Sequence, residues 1–226
     1  MTEKRFDAVL FDAGGVLVLP DPTVLGPTLA PHGGSLDHAV HHRAHYVGMH
    51  ELDAAATADW DIYRRTYVRA CGVPDDEVDE AMVVFVATFN AHLWRHPNAG
   101  ASDALRALAE RRVPIGVVSN ASGQIEAALS RANVCQVGEG GGATVLCVID
   151  SHVVGVAKPD PAIFDSALEH LGIERERVAY VGDSVRYDVL GAEAAGLVPL
   201  LLDPYPSDGD DGRERIRALT DLLALV

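Results

Sequence analysis

Lysine is nearly absent from this chain: of 18 basic residues only Lys4 and Lys158 are lysines, and the rest are arginines. An ammonium is a compact point charge that a guanidinium does not replace, so Lys158, far from the terminus, calls for a reason. Positive charge as a whole is scarce, with 18 Lys and Arg against 33 Asp and Glu and a formal net charge of -15. Such a chain repels phosphate backbones and anionic lipid, which argues against nucleic-acid and membrane partners. A small phosphorylated metabolite stays admissible, because one local cation inverts the field inside a single pocket. Cysteine is limited to Cys71, Cys135 and Cys147, widely spaced and without a CxxC pair. They read as small buried hydrophobes in a reducing compartment. No apolar run approaches a membrane span, and MTEKRFDAVLFDAGG holds none long enough for a signal peptide. A cytoplasmic location is expected.

What the sequence does have is the balance of a folded chain, 226 residues with 48% hydrophobic and 23% charged. Five short apolar runs stand out, at 6–11, 114–118, 145–149, 178–181 and 198–202. They are continuous rather than alternating, the pattern of strands covered on both faces of a parallel sheet. Helical patterns separate most of them, at 102–112, 161–171 and 188–195, with a last one at 213–225. The second of these has Asp160 as N-cap, Pro161 at its first position and Gly172 at its end. Strand and helix in alternation imply an α/β fold with a doubly wound parallel sheet, a Rossmann-like core.

About a hundred residues lie between the first two runs, far more than one crossover needs. Residues 20–96 hold no convincing strand and read as helices at 36–50, 57–70 and 75–93. The expected organisation is therefore a core of residues 1–19 and 97–226, with a helical cap of residues 20–96 inserted over it.

Polar residues appear where the runs end: Asp12 after the first, Ser119 and Asn120 after the second, Asp183 and Ser184 after the fourth. Asp and Ser also stop strands and cap helices, and one such residue would mean no more than that. Three in register, with Lys158 isolated before Pro159, point instead to a site at the carboxyl edge of the sheet, where open α/β sheets bind ligands.

These segments resemble the haloacid dehalogenase-like hydrolase superfamily, in the subgroup whose cap follows the first strand. FDAGGVL matches its first motif, VVSNAS its second, AKPDPAIF its third and VGDSVRYDVLGA its fourth, in order across residues 6 to 196. The resemblance implies a magnesium-dependent phosphatase acting on a small phosphorylated metabolite. Asp12 would be the nucleophile and form an aspartyl-phosphate, splitting one hard step into two. Mg²⁺ would be held by Asp12, the carbonyl of Gly14 and Asp183, with Asp188 an outer partner. Ser119 and the backbone at Asn120 would bind the phosphoryl oxygens, and Lys158 would offset their charge.

One position departs from the family pattern. Phosphatases of this group usually carry Asp two residues after the nucleophile as general acid and base, and here that residue is Gly14. Its loss would cost about 10²–10⁴-fold in rate. Dehalogenases also lack this Asp, but they need no metal and do not keep the GDS-type fourth motif. Phosphonoacetaldehyde hydrolases need a cap lysine, and residues 20–96 contain none. The remaining alternatives are a phosphoglucomutase-like or other phosphotransferase using the same intermediate, and a catalytically weakened phosphate-binding protein.

Three further features invite other readings. His38, His41, His42 and His45 share helical spacing, and a polar cap face is expected rather than a zinc site. Tyr46, Trp60, Tyr63 and Tyr67 are expected to pack the cap. Residues 138–143 fit GxGxxA but precede a strand rather than open a helix, so they read as a glycine-rich loop.

Overall fold

The computed structural model describes residues 4–206 and 211–226. The chain forms two compact units, Met1–Val18 with Pro97–Val226, and Leu19–His96. It opens with β1 (Ala8–Phe11), and β2 (Val18–Pro20) follows. Helices α1 (Pro22–Leu29), α2 (His38–Ala54), α3 (Trp60–Ala70) and α4 (Val78–Thr88) come next, then β3 (Trp94–Pro97), which pairs with β2. The larger unit resumes with α5 (Ala101–Glu110), β4 (Ile115–Ser119), α6 (Ile125–Arg131), β5 (Cys135–Val137), β6 (Ala143–Val145) and β7 (Cys147–Asp150). It ends with α7 (Ser151–Val154), α8 (Ala162–Leu171), β8 (Val178–Gly182), α9 (Leu190–Ala194), β9 (Val198–Leu202) and β10 (Arg215–Ile216).

Six strands of the larger unit form one parallel sheet in the order β10-β9-β8-β1-β4-β7. This is an α/β, Rossmann-like core with an inserted helical cap. Every residue of β1, β4 and β8 is buried, which is why those stretches read as unbroken apolar runs. On one face Leu10, Val118, Ile149 and Tyr180 pack with Ile163, Phe164 and Ala167 of α8. The register then sets the site. Phe11 lies opposite Val117 and Val181, and Ser119 lies opposite Asp150, so the polar residues that follow emerge at one edge.

The structure corrects or completes the sequence expectations in four places of the larger unit. The run at 145–149 is two strands: Ala143–Val145 pairs with β5, and Cys147–Asp150 joins the main sheet. Leu146 between them is half-exposed and donates its N–H to Ile115 O at 2.8 Å. The helix expected at 213–225 is instead β10 and a 3₁₀ turn at Leu219–Ala224. β9 would otherwise be an edge with unpaired backbone, and Arg215 and Ile216 pair with Leu201 and Leu202 to extend the sheet. The helix expected at 188–195 starts earlier, as a π turn over Val185–Val189. Finally, residues 138–142 do link two strands, and the Gln136 side chain spans them through Gly142 N and Gly142 O, at 3.0 and 3.1 Å.

The smaller unit is helical with short strands at its margins, where residues 20–96 were expected to hold none. α1 was unforeseen because its prolines and glycine read as loop. Pro22 sits at the helix start, Asp21 caps it by accepting from Thr23 N at 2.9 Å, and Pro27 is tolerated in so short a helix. α2 begins at His38 and runs past the expected residue 50 to Ala54, and α4 is shorter than the expected 75–93. The histidine row is not a wholly polar face: His41 and His45 are buried among the tyrosines. His41 bonds Tyr67 OH at 2.9 Å and Ser35 O at 2.8 Å, and His45 bonds Tyr63 OH at 3.0 Å. Tyr46, Tyr63 and Tyr67 are fully buried, in a packing role, while Trp60 is half-buried. No helix among the described residues is long and apolar enough to cross a membrane.

Candidate active site

Asp12 directly follows β1, and its N–H donates to Val181 O at 2.8 Å, holding it level with the end of β8. There the chain turns through Gly182 into Asp183 and Ser184, and the π turn brings Asp188 back over the strand end. The return is tight: a Cβ on Gly182 would lie 2.1 Å from Asp188 Cβ. Asp188 Oδ2 accepts from the N–H groups of Asp183 at 3.2 Å and Ser184 at 3.0 Å, closing the turn on itself. π turns are uncommon and concentrate at functional positions.

Lys158 completes the group. Its Nζ lies 2.9 Å from Asp12 Oδ1, 2.6 Å from Asp188 Oδ1 and 2.8 Å from Tyr180 OH, and it is 4% exposed. Three N–H donors thus face three oxygens. Asp12 Oδ1 has the ammonium as an ion-pair partner but accepts no well-aligned hydrogen bond. The Asn120 side chain fixes the backbone beneath: its Oδ1 accepts from Lys158 N at 2.7 Å and its Nδ2 donates to Lys158 O at 3.0 Å. Ser119 is buried at the end of β4. Gly14 is half-buried and bridges to Val18, and its neighbour Gly15 takes the left-handed φ of 82°.

Of the residues expected from the sequence, the structure therefore gathers Asp12, Lys158, Asp183 and Asp188 by direct geometry. Ser119 and Gly14 lie on the adjoining strand end and loop. Asn120 is placed where expected, but its side chain serves Lys158. Sequence reasoning missed Tyr180, whose hydroxyl contacts both Lys158 and Asp188 at 2.8 and 2.9 Å. The signal was a lone hydroxyl in an apolar run. It also missed Asp150 at the end of β7, which accepts from Gly123 N at 2.8 Å and His152 N at 2.9 Å and shapes the loop after β4.

Carboxylates gather at this edge. Asp12, Asp183 and Asp188 each offer an oxygen, all within 4.8 Å of one another, and all three residues are buried. The Lys158 ammonium pairs with two of them, Asp12 and Asp188. Burial pushes the Asp12 carboxyl up to about 7; Lys158 pulls against that, and Asp188 and Asp183 push the same way as burial. For Lys158 burial works downward, but Asp12 and Asp188 outweigh it and hold the ammonium above its ordinary pKa. Burial also holds the Tyr180 phenol well above its usual value, so it keeps its proton. An excess of buried hard oxygen donors with an under-bonded carboxylate is what a divalent cation such as Mg²⁺ requires, and the residues fit one.

The sequence matches the family of haloacid dehalogenase-like hydrolases over residues 6–196. A phosphoglycolate phosphatase of Rhodospirillum rubrum is 35% identical over 209 residues, spanning 88% of this chain and 79% of that protein. A HAD phosphatase structure from Thermococcus onnurineus is similar with a TM-score of 0.56 at 22% identity, covering 96% of each chain. The L-2-haloacid dehalogenase of Xanthobacter autotrophicus gives the same TM-score, 0.56, at 18% identity over 96% of each chain. The fold accommodates both chemistries, so the structural likeness speaks to architecture alone.

Proposed function

The chain belongs to the haloacid dehalogenase-like hydrolases and is an enzyme acting on phosphoric ester bonds, and from that premise we propose that it hydrolyses a small phosphate monoester through Asp12. A carboxylate oxygen of Asp12 attacks phosphorus in line with the ester oxygen. The new O–P bond forms as the bond to the leaving alcohol breaks, and the alcohol oxygen leaves with the electron pair and takes up a proton. Water then attacks the aspartyl-phosphate, releasing inorganic phosphate and restoring the carboxylate.

The observation that carries this reading is the meeting of Lys158 with Asp12 beside a triad of buried carboxylates, at 2.9 Å. Lys158 offsets the charge that phosphate and Asp12 bring together, and Asp188 holds its ammonium in place at 2.6 Å. Ser119 and the backbone at Asn120 receive the phosphoryl oxygens. Asp12, the carbonyl of Gly14 and Asp183 would hold Mg²⁺, with Asp188 behind them. When bound, the cation supplies charge neutralisation for the phosphoryl oxygens.

A dehalogenase reading does not account for three buried carboxylates gathered at one point, since its nucleophile needs no cation. Gly14 provides no acid, so the leaving alcohol takes its proton from another donor or departs as an anion. The test is turnover of a panel of phosphate monoesters with Mg²⁺ and with EDTA, in the wild type and Asp12→Asn. Release of phosphate that requires Mg²⁺ and Asp12 is expected. Full turnover in EDTA, or in Asp12→Asn, would sink the reading.

A further inference from the structure

The Lys158 ammonium sits at the end of a four-carbon stem. Asn120 fixes its backbone through two hydrogen bonds, yet that leaves every side-chain torsion to be decided elsewhere. Of the three oxygens around the ammonium, two belong to the carboxylates it serves. The third, Tyr180 OH at 2.8 Å, is neutral and belongs to the scaffold. Tyr180 lies in β8 with its ring fully buried in the apolar layer beneath α8, where Phe164 meets it edge-on at 4.9 Å. Its hydroxyl accepts from Lys158 and has one proton to give, with Asp188 Oδ1 at 2.9 Å and Val118 O at 3.1 Å as acceptors. Among the described residues it makes no hydrogen bond to Asp12. The hydroxyl is therefore aimed at the lysine and its partner, not at the reacting centre.

We infer that Tyr180 is a positioning residue: its hydroxyl orients the Lys158 ammonium and the Asp188 carboxylate so that both serve Asp12. This rests on the phosphatase reading for its kinetic consequence, though not for its geometric one. A phenylalanine at 180 fills the same space and keeps the contact with Phe164. It leaves one ammonium N–H without an acceptor and Asp188 Oδ1 without one donor, in a place water does not reach. The ammonium then reorients toward its remaining partners, and the position it holds opposite the incoming phosphoryl group is lost.

The experiment is Tyr180→Phe in the full chain, with Ile163→Val from the same apolar layer as a packing control and thermal unfolding to verify the fold of each. With p-nitrophenyl phosphate and Mg²⁺, kcat is expected to fall about ten- to a hundred-fold, the worth of one hydrogen bond to a charged group, with KM changed far less. In a Lys158→Met background Tyr180→Phe should have a much smaller effect, because Tyr180 acts chiefly through the lysine. Independently of turnover, ¹⁵N-lysine labelling reads the geometry, since the chain has only Lys4 and Lys158. The buried Lys158 ammonium should give a slowly exchanging signal that shifts or broadens in Tyr180→Phe and stays in place in Ile163→Val. An unchanged ammonium signal in Tyr180→Phe overturns the inference, as does a kcat loss that persists in full without Lys158 or is matched by Ile163→Val. A wild type without phosphatase turnover defeats the phosphatase reading instead and leaves the ammonium signal to decide the role of Tyr180.

Discussion

The Asp12 carboxyl offers a test that needs no substrate. Burial, with Asp188 and Asp183 close by, pushes it up to about 7 in the folded chain, against 3.8 for an ordinary aspartate. A folded state that binds the proton more tightly than the unfolded chain is most stable at low pH. That contribution is full below about 4 and is lost as the pH rises through about 7. At about 1.36 kcal/mol per tenfold in proton affinity, the ionised buried carboxylate costs roughly 4 kcal/mol. Asparagine resembles the protonated form and escapes the cost. In EDTA at pH 8, Asp12→Asn should therefore unfold at a higher temperature than the wild type. A chain of this size gains roughly 2–4 °C per kcal/mol, so the gap is on the order of 10 °C. At pH 4 the two should unfold together. Saturating Mg²⁺ should close most of that gap at pH 8, because the carboxylate binds the cation and the amide does so poorly; a ligand at a hundred times its Kd adds about 2.7 kcal/mol to the wild type. Thermal unfolding of both proteins at the two pH values, with EDTA and with Mg²⁺, reads all of this. A variant less stable than wild type in EDTA at pH 8, or equal stabilisation of both by Mg²⁺, refutes the electrostatic account of the site.

Gly182→Ala should displace Asp188, whose Cβ would stand 2.1 Å from the new one; overpacking of about 1–3 kcal/mol is expected with a raised Mg²⁺ requirement, and wild-type values of both would show that the π turn yields freely. Lys158→Met should lower turnover by about 10²-fold or more while leaving the chain folded, and Lys158→Arg should be impaired too, since a planar guanidinium cannot place its charge at the same point. Wild-type kinetics in Lys158→Arg would mean that any nearby positive charge suffices. Gly14→Asp should speed hydrolysis of alkyl phosphates by about ten-fold or more and of aryl phosphates much less, because poor leaving groups need the proton. Gly15, not Gly14, holds the left-handed φ, so φ itself does not bar a side chain at 14; equal rates on both classes of ester would show that another group already donates.

Much of the site is legible in the sequence because strands of a parallel sheet, buried on both faces, are written as short continuous apolar runs. Once those runs are aligned, the residues just beyond them must share one edge, and Asp12, Ser119 and Asp183 follow without a structure. Lys158 stood out for a compositional reason, as one of two lysines among 18 basic residues. The inserted segment was visible from its length and its lack of strand patterns, though the start of its first helix was hidden by Pro22 and Pro27.

Tertiary structure alone decided the rest, because it rests on which groups meet across the chain rather than along it. Nothing local tells that Arg215 and Ile216 pair with β9 instead of opening a helix; the unpaired strand edge makes that choice. Nothing in the row of histidines distinguishes the buried His41 and His45 from their neighbours until the tyrosines of α3 reach them. The Asn120 amide closes on the Lys158 backbone 38 residues away, and the Tyr180 hydroxyl meets an ammonium 22 residues away. A tyrosine inside an apolar run reads as core, and it is core. Only the packed sheet places its hydroxyl at the edge of that layer, against the buried Lys158 ammonium.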